Sequence, residues 1–246
     1  MDAILLVHGL IGHMRAKAID SAFGERALMP NLLGYGEHAR YDGEISLPAQ
    51  VEYLRRLLDE REIASAHIAG HSIGGAIAML FARQYPERVR SVISIEGNFT
   101  LKDAFWSSGI ASATLPEVQA ALQADRADPA AWLQRSGVTP TAERVAAAES
   151  HLGNQPASTM QAMARSVVQI TANPHYLDDV LTVLNNGTRV HLIAGERSRG
   201  AWDVPDFVLD NAEMTLLPDT GHLITIESPQ AFAEALATLT AESNPA

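Results

Sequence analysis

The chain has 246 residues, 47% hydrophobic and 19% charged, with a formal net charge of −11. A chain of that length and composition folds around one sizeable core as a single domain, which excludes an intrinsically disordered protein. The acidic balance, with no basic run, argues against nucleic acid and anionic membranes as partners, and the lack of cysteine excludes disulfides, thiolate nucleophiles and Cys-based metal sites.

The first predicted element is a strand at Ala3–Val7, which Met1-Asp2-Ala3 enters directly, with no basic region or cleavage site. That start reads as neither signal peptide nor membrane span, so a cytoplasmic protein is expected. Further strands are predicted at Arg26–Met29, Ala66–Ala69, Val89–Ile95, Arg189–Ala194 and Glu213–Leu217, because buried parallel strands read as nearly unbroken apolar runs. Between them lie helices. Ser46-Leu47-Pro48 opens one with Leu47, Val51, Leu54, Leu57 and Leu58 on one face, and an Ala-rich helix runs from Gly74 until Pro86 stops it. Ser228-Pro229 opens the last, with Phe232, Ala235, Leu236 and Leu239 at helical spacing. The segment from about 99 to 187 contains no strand signal. Thr114-Leu115-Pro116-Glu117 reads as a capping box, and Asp128-Pro129 and Thr139-Pro140 each put Pro just inside a helix. An all-helical insertion between two strands of one sheet is expected to lie above it as a lid.

Three segments carry chemistry. Gly70-His71-Ser72-Ile73-Gly74-Gly75 joins a strand to a helix through Gly-x-Ser-x-Gly. So sharp a bend strains the central residue, and glycine two positions to either side removes side chains that would collide. The serine hydroxyl is thereby presented beside a helix N-terminus; the plainer alternative is a tight turn with a spectator serine. Serine needs a base. His222, in Pro218-Asp219-Thr220-Gly221-His222, follows the last strand and reaches the same sheet edge. His8-Gly9-Leu10-Ile11-Gly12 turns sharply after the first strand, so the Leu10 and Ile73 N–H groups are candidates for an oxyanion hole.

In this order and spacing the three segments resemble the α/β-hydrolase superfamily, and Pro30-Asn31-Leu32-Leu33-Gly34-Tyr35-Gly36 is similar to its Pro-Asp-x-x-Gly-x-Gly segment. The resemblance spans nearly the whole chain outside the helical insertion. It implies an α/β fold with a mostly parallel sheet, helices on both faces and a helical lid. It also equates the first strand here with the family's third, and a reduced sheet of about six strands is expected, a count taken from the apolar runs. Asn31 stands where the family has Asp, a change expected to affect the loop rather than the chemistry.

The family's acid usually follows the strand after the lid. There the chain reads Gly195-Glu196-Arg197-Ser198, with Ser198 at the acid's place. Glu96, ending the apolar strand Val89–Ile95, is the favoured acid: a carboxylate buried there needs a partner, and some family members carry the acid after this strand. Asp203, Glu196 and the absence of any acid stay open as alternatives.

A serine hydrolase is therefore expected, acting on a small-molecule ester, thioester or lactone, without cofactor or metal, and compatible with a homodimer. The same triad supports C–C bond hydrolysis and lyase or synthase steps, and a non-enzymatic ligand-binding protein with a relic site is a third reading. Asp-nucleophile reactions are disfavoured by Ser72. His8, His13, His38 and His71 lack metal-ligand spacing. Phe99, Phe105, Trp106 and Trp132 are candidates either for an acyl pocket or for the core of the insertion.

Overall fold

The short apolar runs extend because a strand sends alternate side chains to opposite faces, and both faces here are covered. In β1 (Ala3–Val7), Ile4 and Leu6 enter one apolar cluster while Leu5 and Val7 enter the other. The computed structural model describes residues 2–242. Within them β1, β2 (Ala27–Leu28), β3 (Ala66–His71), β4 (Val89–Ile95), β5 (Arg189–Gly195) and β6 (Glu213–Leu217) form one sheet, ordered β2-β1-β3-β4-β5-β6. Every neighbouring pair is parallel.

Parallel neighbours need crossovers, and helices supply them. On one face α1 (Lys17–Phe23) packs against the C-terminal helix (Pro229–Glu242), and Phe23, Phe232 and Leu236 join Ile4, Ala69 and Ile93 in the core. On the other face lie α2 (Leu47–Glu60), α3 (Ile73–Gln84) and α9 (His175–Asn185), which bring Leu54, Ile77 and Val180 onto Leu5, Ile68 and Val92.

Several boundaries differ from the sequence reading, each for a local reason. The second strand shrinks to Ala27–Leu28, because Arg26 closes a 3-10 turn and only two residues pair with β1. The third extends to His71, since Gly70 and His71 still pair with Ser94 and Ile95. The helix after Ser72 starts at Ile73, one residue earlier than expected. Pro140 lies outside a helix: Thr141 is the N-cap of α7 (Ala142–Gly153), its hydroxyl accepting the Arg144 N–H at 3.2 Å.

Between β4 and β5 the described residues add α4 (Phe105–Ser112), α5 (Leu115–Ala127), α6 (Pro129–Arg135), α7, α8 (Ala157–Thr171) and α9, with no strand. The capping box at Thr114 and Glu117 forms, and Asp128 Oδ1 accepts the Ala131 N–H at 2.9 Å to cap α6. The junction of α7 and α8 grips the loop after β1: Gln155 Oε1 accepts the Gly12 N–H (3.0 Å), and Asn154 Nδ2 donates to Gly12 O (2.7 Å). Arg144 on α7 donates to Glu227 O beyond β6 (3.1 Å). These bonds carry the helical segment across the carboxyl edge of the sheet. The last helix, α9, instead belongs to the layer that packs on α3.

Candidate active site

In-register pairing aligns the strand ends. Val7 stands beside Gly70, His71 beside Ile95, Ile95 beside Ile193 and Gly195 beside Leu217. Loops bearing Leu10, Ser72, Glu96, Ser198 and His222 therefore leave the sheet along one edge.

Ser72 has φ 54° and ψ −121°, a conformation that side-chain-bearing residues rarely adopt. Its surroundings sustain it. The Ser72 N–H donates to Ile95 O (3.0 Å), and Ser72 O accepts from the Asn98 N–H (3.1 Å). The flanking glycines are required by space: a Cβ on Gly70 would strike the backbone of Gly74, and one on Gly74 would strike Val7 O and lie 2.7 Å from His8 O. The elbow thus wedges between β3 and the end of β1.

His222 and Glu96 meet: the imidazole Nδ1 lies 2.6 Å from Glu96 Oε2. Glu96, 5% exposed, also accepts at Oε1 from the Gly195 N–H (2.8 Å) and the Ser198 hydroxyl (2.5 Å). Burial pushes its carboxyl up, but the bond and charge of His222, with the Ser198 and Gly195 donors, outweigh burial and hold it below the usual carboxylate range. With Nδ1 turned to the acid, Nε2 is the nitrogen left to exchange a proton. Among the described residues Ser72 Oγ makes no hydrogen bond to it. The two segments are joined by His71, whose Nε2–H donates to His222 O at 2.9 Å and whose ring centroid lies 4.7 Å from that of His222.

The loop after β1 abuts the elbow: a Cβ on Gly9 would fall 3.3 Å from Ser72 Cβ. Neither the Leu10 nor the Ile73 N–H donates a hydrogen bond among the described residues, while Leu10 O accepts from the Tyr35 hydroxyl (3.0 Å). His8 fixes this loop from within. Its Nδ1–H donates to Gly9 O (2.8 Å) and its Nε2 accepts the Leu32 N–H (3.1 Å), so both nitrogens are used by the neutral ring. Burial lowers its pKa to about 4, in keeping with that role. Asn31 does loop work: Oδ1 accepts from Asn154 Nδ2 (2.9 Å) and Nδ2 donates to Glu37.

The other two candidate acids are engaged elsewhere. Asp203 accepts from the Thr100 hydroxyl (2.7 Å) and Lys102 Nζ (3.3 Å); Glu196 accepts the Asp219 N–H (3.2 Å). Phe99 is buried against Trp202 and Trp132 is buried in the helical segment, whereas Phe105 and Trp106 are exposed. Of the histidines, His13 lies tilted against His151 of α7 (ring centroids 4.3 Å apart) and His38 meets Tyr53 edge-on (5.4 Å). Among the described residues no cluster of three His, Asp or Glu could hold a metal ion, and no helix is long and apolar enough to cross a membrane. A cavity of about 290 Å³ between α5 and the start of α8, and one of about 230 Å³ beside His67 and Thr240, lie away from Ser72.

Two residues of this neighbourhood escape the sequence reading. Glu227, buried, accepts the Gly221 N–H (3.1 Å) beside His222 and pairs with Arg197, whose Nη1 donates to Gly137 O (2.8 Å). No sequence signal marks that link. Ser198 had a signal, a hydroxyl at the place of the usual acid, which points to a partner for whichever carboxylate replaced it.

An alpha/beta hydrolase family model matches residues 4–235. The chain belongs to the alpha/beta hydrolase family. Lipase 3 of Moraxella sp. (strain TA144) is 29% identical over 113 residues, 44% of this chain and 34% of that protein. The match thus spans about a third of the length of the curated relatives. A thermophilic esterase from Thermogutta terrifontis superposes with TM-score 0.72 at 17% identity, covering 100% of this chain and 91% of the other. MenH from S. aureus gives 0.77 at 17% identity, covering 98% and 94%. At such identities the likeness is one of fold.

Proposed function

We propose that this member of the alpha/beta hydrolase family is a serine hydrolase that cleaves a small-molecule ester, thioester or lactone through an acyl-enzyme on Ser72. The observation that carries the reading is the 2.6 Å contact of Glu96 with His222 Nδ1, which turns the basic Nε2 away from the acid at the sheet edge where Ser72 emerges. Ser72 Oγ attacks the carbonyl carbon as its proton passes to His222 Nε2. The carbonyl oxygen takes up negative charge, for which the Leu10 and Ile73 N–H groups are the proposed donors. His222 then returns the proton to the departing alkoxide or thiolate. Water, deprotonated by His222, attacks the acyl carbon and releases the acid, restoring the Ser72 hydroxyl. The catalytic hydrogen bond between serine and base often tightens only with substrate bound, which accommodates its absence here. The helices α4 to α8 are proposed as the lid, narrower than the segment of about 99 to 187 expected from the sequence because α9 packs on α3, and supported by the grip of Asn154 and Gln155 on Gly12. The names lipase and esterase among the related proteins agree with this reading.

A fluorophosphonate probe tests it. Expected is stoichiometric labelling at Ser72 that disappears in Ser72→Ala together with turnover of p-nitrophenyl esters. Labelling that persists at another residue, or turnover undiminished in Ser72→Ala, overturns the proposal.

A further inference from the structure

The two oxygens of Glu96 have separate partners. Oε2 faces His222 Nδ1, while Oε1 receives the Gly195 N–H at 2.8 Å and the Ser198 hydroxyl at 2.5 Å. A hydroxyl has one proton to give. Ser198 could direct its proton to Gly195 O, but that oxygen is 3.3 Å away, and the shorter contact to a charged acceptor is the stronger bond. Ser198 is also held in place, its own N–H donating to Gly195 O at 3.2 Å. The residue thus ties the end of β5 to the acid at the end of β4, which in turn holds the histidine beyond β6.

We propose that Ser198 is a positioning residue: its hydroxyl fixes Glu96 Oε1, and thereby sets the orientation and charge of the carboxylate that holds His222. This deepens the function proposed above and rests on Glu96 and His222 acting as the acid and base of Ser72. Glu96 is buried, so its side chain has little solvent to replace a lost donor. Among the described residues Ser198 is the one side chain that donates to Oε1, the other donor being main chain. The titratable groups facing this carboxylate are His222 and, behind it, His71 from the elbow.

Ser198→Ala and Ser198→Thr are to be compared with the wild type in p-nitrophenyl ester hydrolysis across pH. Losing a donor to the anion makes the Glu96–His222 pair take up a proton more readily. Ser198→Ala should therefore move the acid limb of kcat/KM upward by about one pH unit, a shift that corresponds to about a tenfold loss of kcat/KM below the limb. KM should stay within about twofold, as expected of a group that does not touch substrate. Ser198→Thr, which keeps the hydroxyl, should return the limb to its wild-type position. Complete fluorophosphonate labelling of Ser72 at pH 8 in all three proteins shows that the site is folded. An acid limb unmoved in Ser198→Ala, or moved equally in Ser198→Thr, overturns the assignment. Proton NMR of the His222 Nδ1–H separates this from the function itself. Were wild-type Ser72 not labelled, the hydrolase reading would fail, yet the resonance would still shift in Ser198→Ala and return in Ser198→Thr if Ser198 acts as proposed. A resonance unchanged in Ser198→Ala counts against it.

Discussion

Glu96 Oε2 lies 2.6 Å from His222 Nδ1, although the two are 126 positions apart in the chain. An ionised carboxylate can only accept here, so it selects the imidazole tautomer with the proton on Nδ1 and the lone pair on Nε2. Glu96→Gln removes the charge and offers an amide that can present a donor, which favours the wrong tautomer. Loss of kcat by a factor on the order of 10³ to 10⁴ is expected in p-nitrophenyl ester assays. Asp203→Ala and Glu196→Ala, whose carboxylates bind Thr100, Lys102 and Asp219, should retain turnover within about threefold of wild type. A large loss in either, with Glu96→Gln near wild type, would move the acid.

The histidine loop has its own anchor. Glu227 is buried, and its carboxylate is shared between the Gly221 N–H and the Arg197 guanidinium. Arg197→Met keeps much of the aliphatic stem but strands the anion. The expected cost is about 3 kcal/mol, the low end for a broken buried pair because the Arg197 side chain is 46% exposed. Adding Glu227→Gln removes the stranded charge and should recover more than half of that loss. Urea unfolding of both single variants and the double variant measures the coupling, and simple additivity would show that the pair contributes nothing.

Much of this architecture is legible in the sequence because buried parallel strands leave a nearly continuous apolar trace, as Val89–Ile95 does. Glu96 is conspicuous for the same reason: a carboxylate closing such a run must find a partner. Arg26–Met29 is misjudged in length because an edge strand pairs on one side only, and its extent depends on β1 rather than on its own residues. Pro140 misleads because Thr141, the next residue, is the better cap. The bonds of Ser198 to Glu96 and of Arg197 to Glu227 and Gly137 join loops far apart in the chain. Their geometry follows from the assembled sheet edge, and apart from the hydroxyl of Ser198 at the usual acid's place no local pattern marks them.

Acid should unsettle the fold from within the loop after β1. His8 is neutral in the folded protein down to about pH 4, chiefly because burial disfavours its cation, whereas the unfolded chain takes a proton near pH 6.5. Between those values the unfolded state binds the extra proton, so stability falls as pH falls and is recovered above about pH 6.5. The slope from one such residue is about 1.4 kcal/mol per pH unit. Unfolding free energies measured at intervals between pH 7.5 and 5 should show it, and His8→Gln should lower the slope by about that amount. An equal slope in both proteins would mean that His8 is protonated in the native state or that other groups govern the acid response.

Ser72 itself should cost the protein stability. At φ 54° and ψ −121° a residue with a Cβ carries strain of about 1–3 kcal/mol, held in place by the bonds to Ile95 O and from the Asn98 N–H. Ser72→Ala and Ser72→Gly both remove the hydroxyl, and both should abolish turnover. They differ in strain. Alanine keeps the Cβ and with it the penalty; glycine relieves it but has more freedom to lose on folding, about 0.5–1 kcal/mol. The balance leaves Ser72→Gly about 1 kcal/mol more stable than Ser72→Ala, which in a domain of this size raises the melting temperature by about 2–4 °C. Calorimetry of the two inactive variants reads that difference directly. A glycine variant that melts at or below the alanine variant would show that the bend is relaxed, and that the serine is not presented under strain.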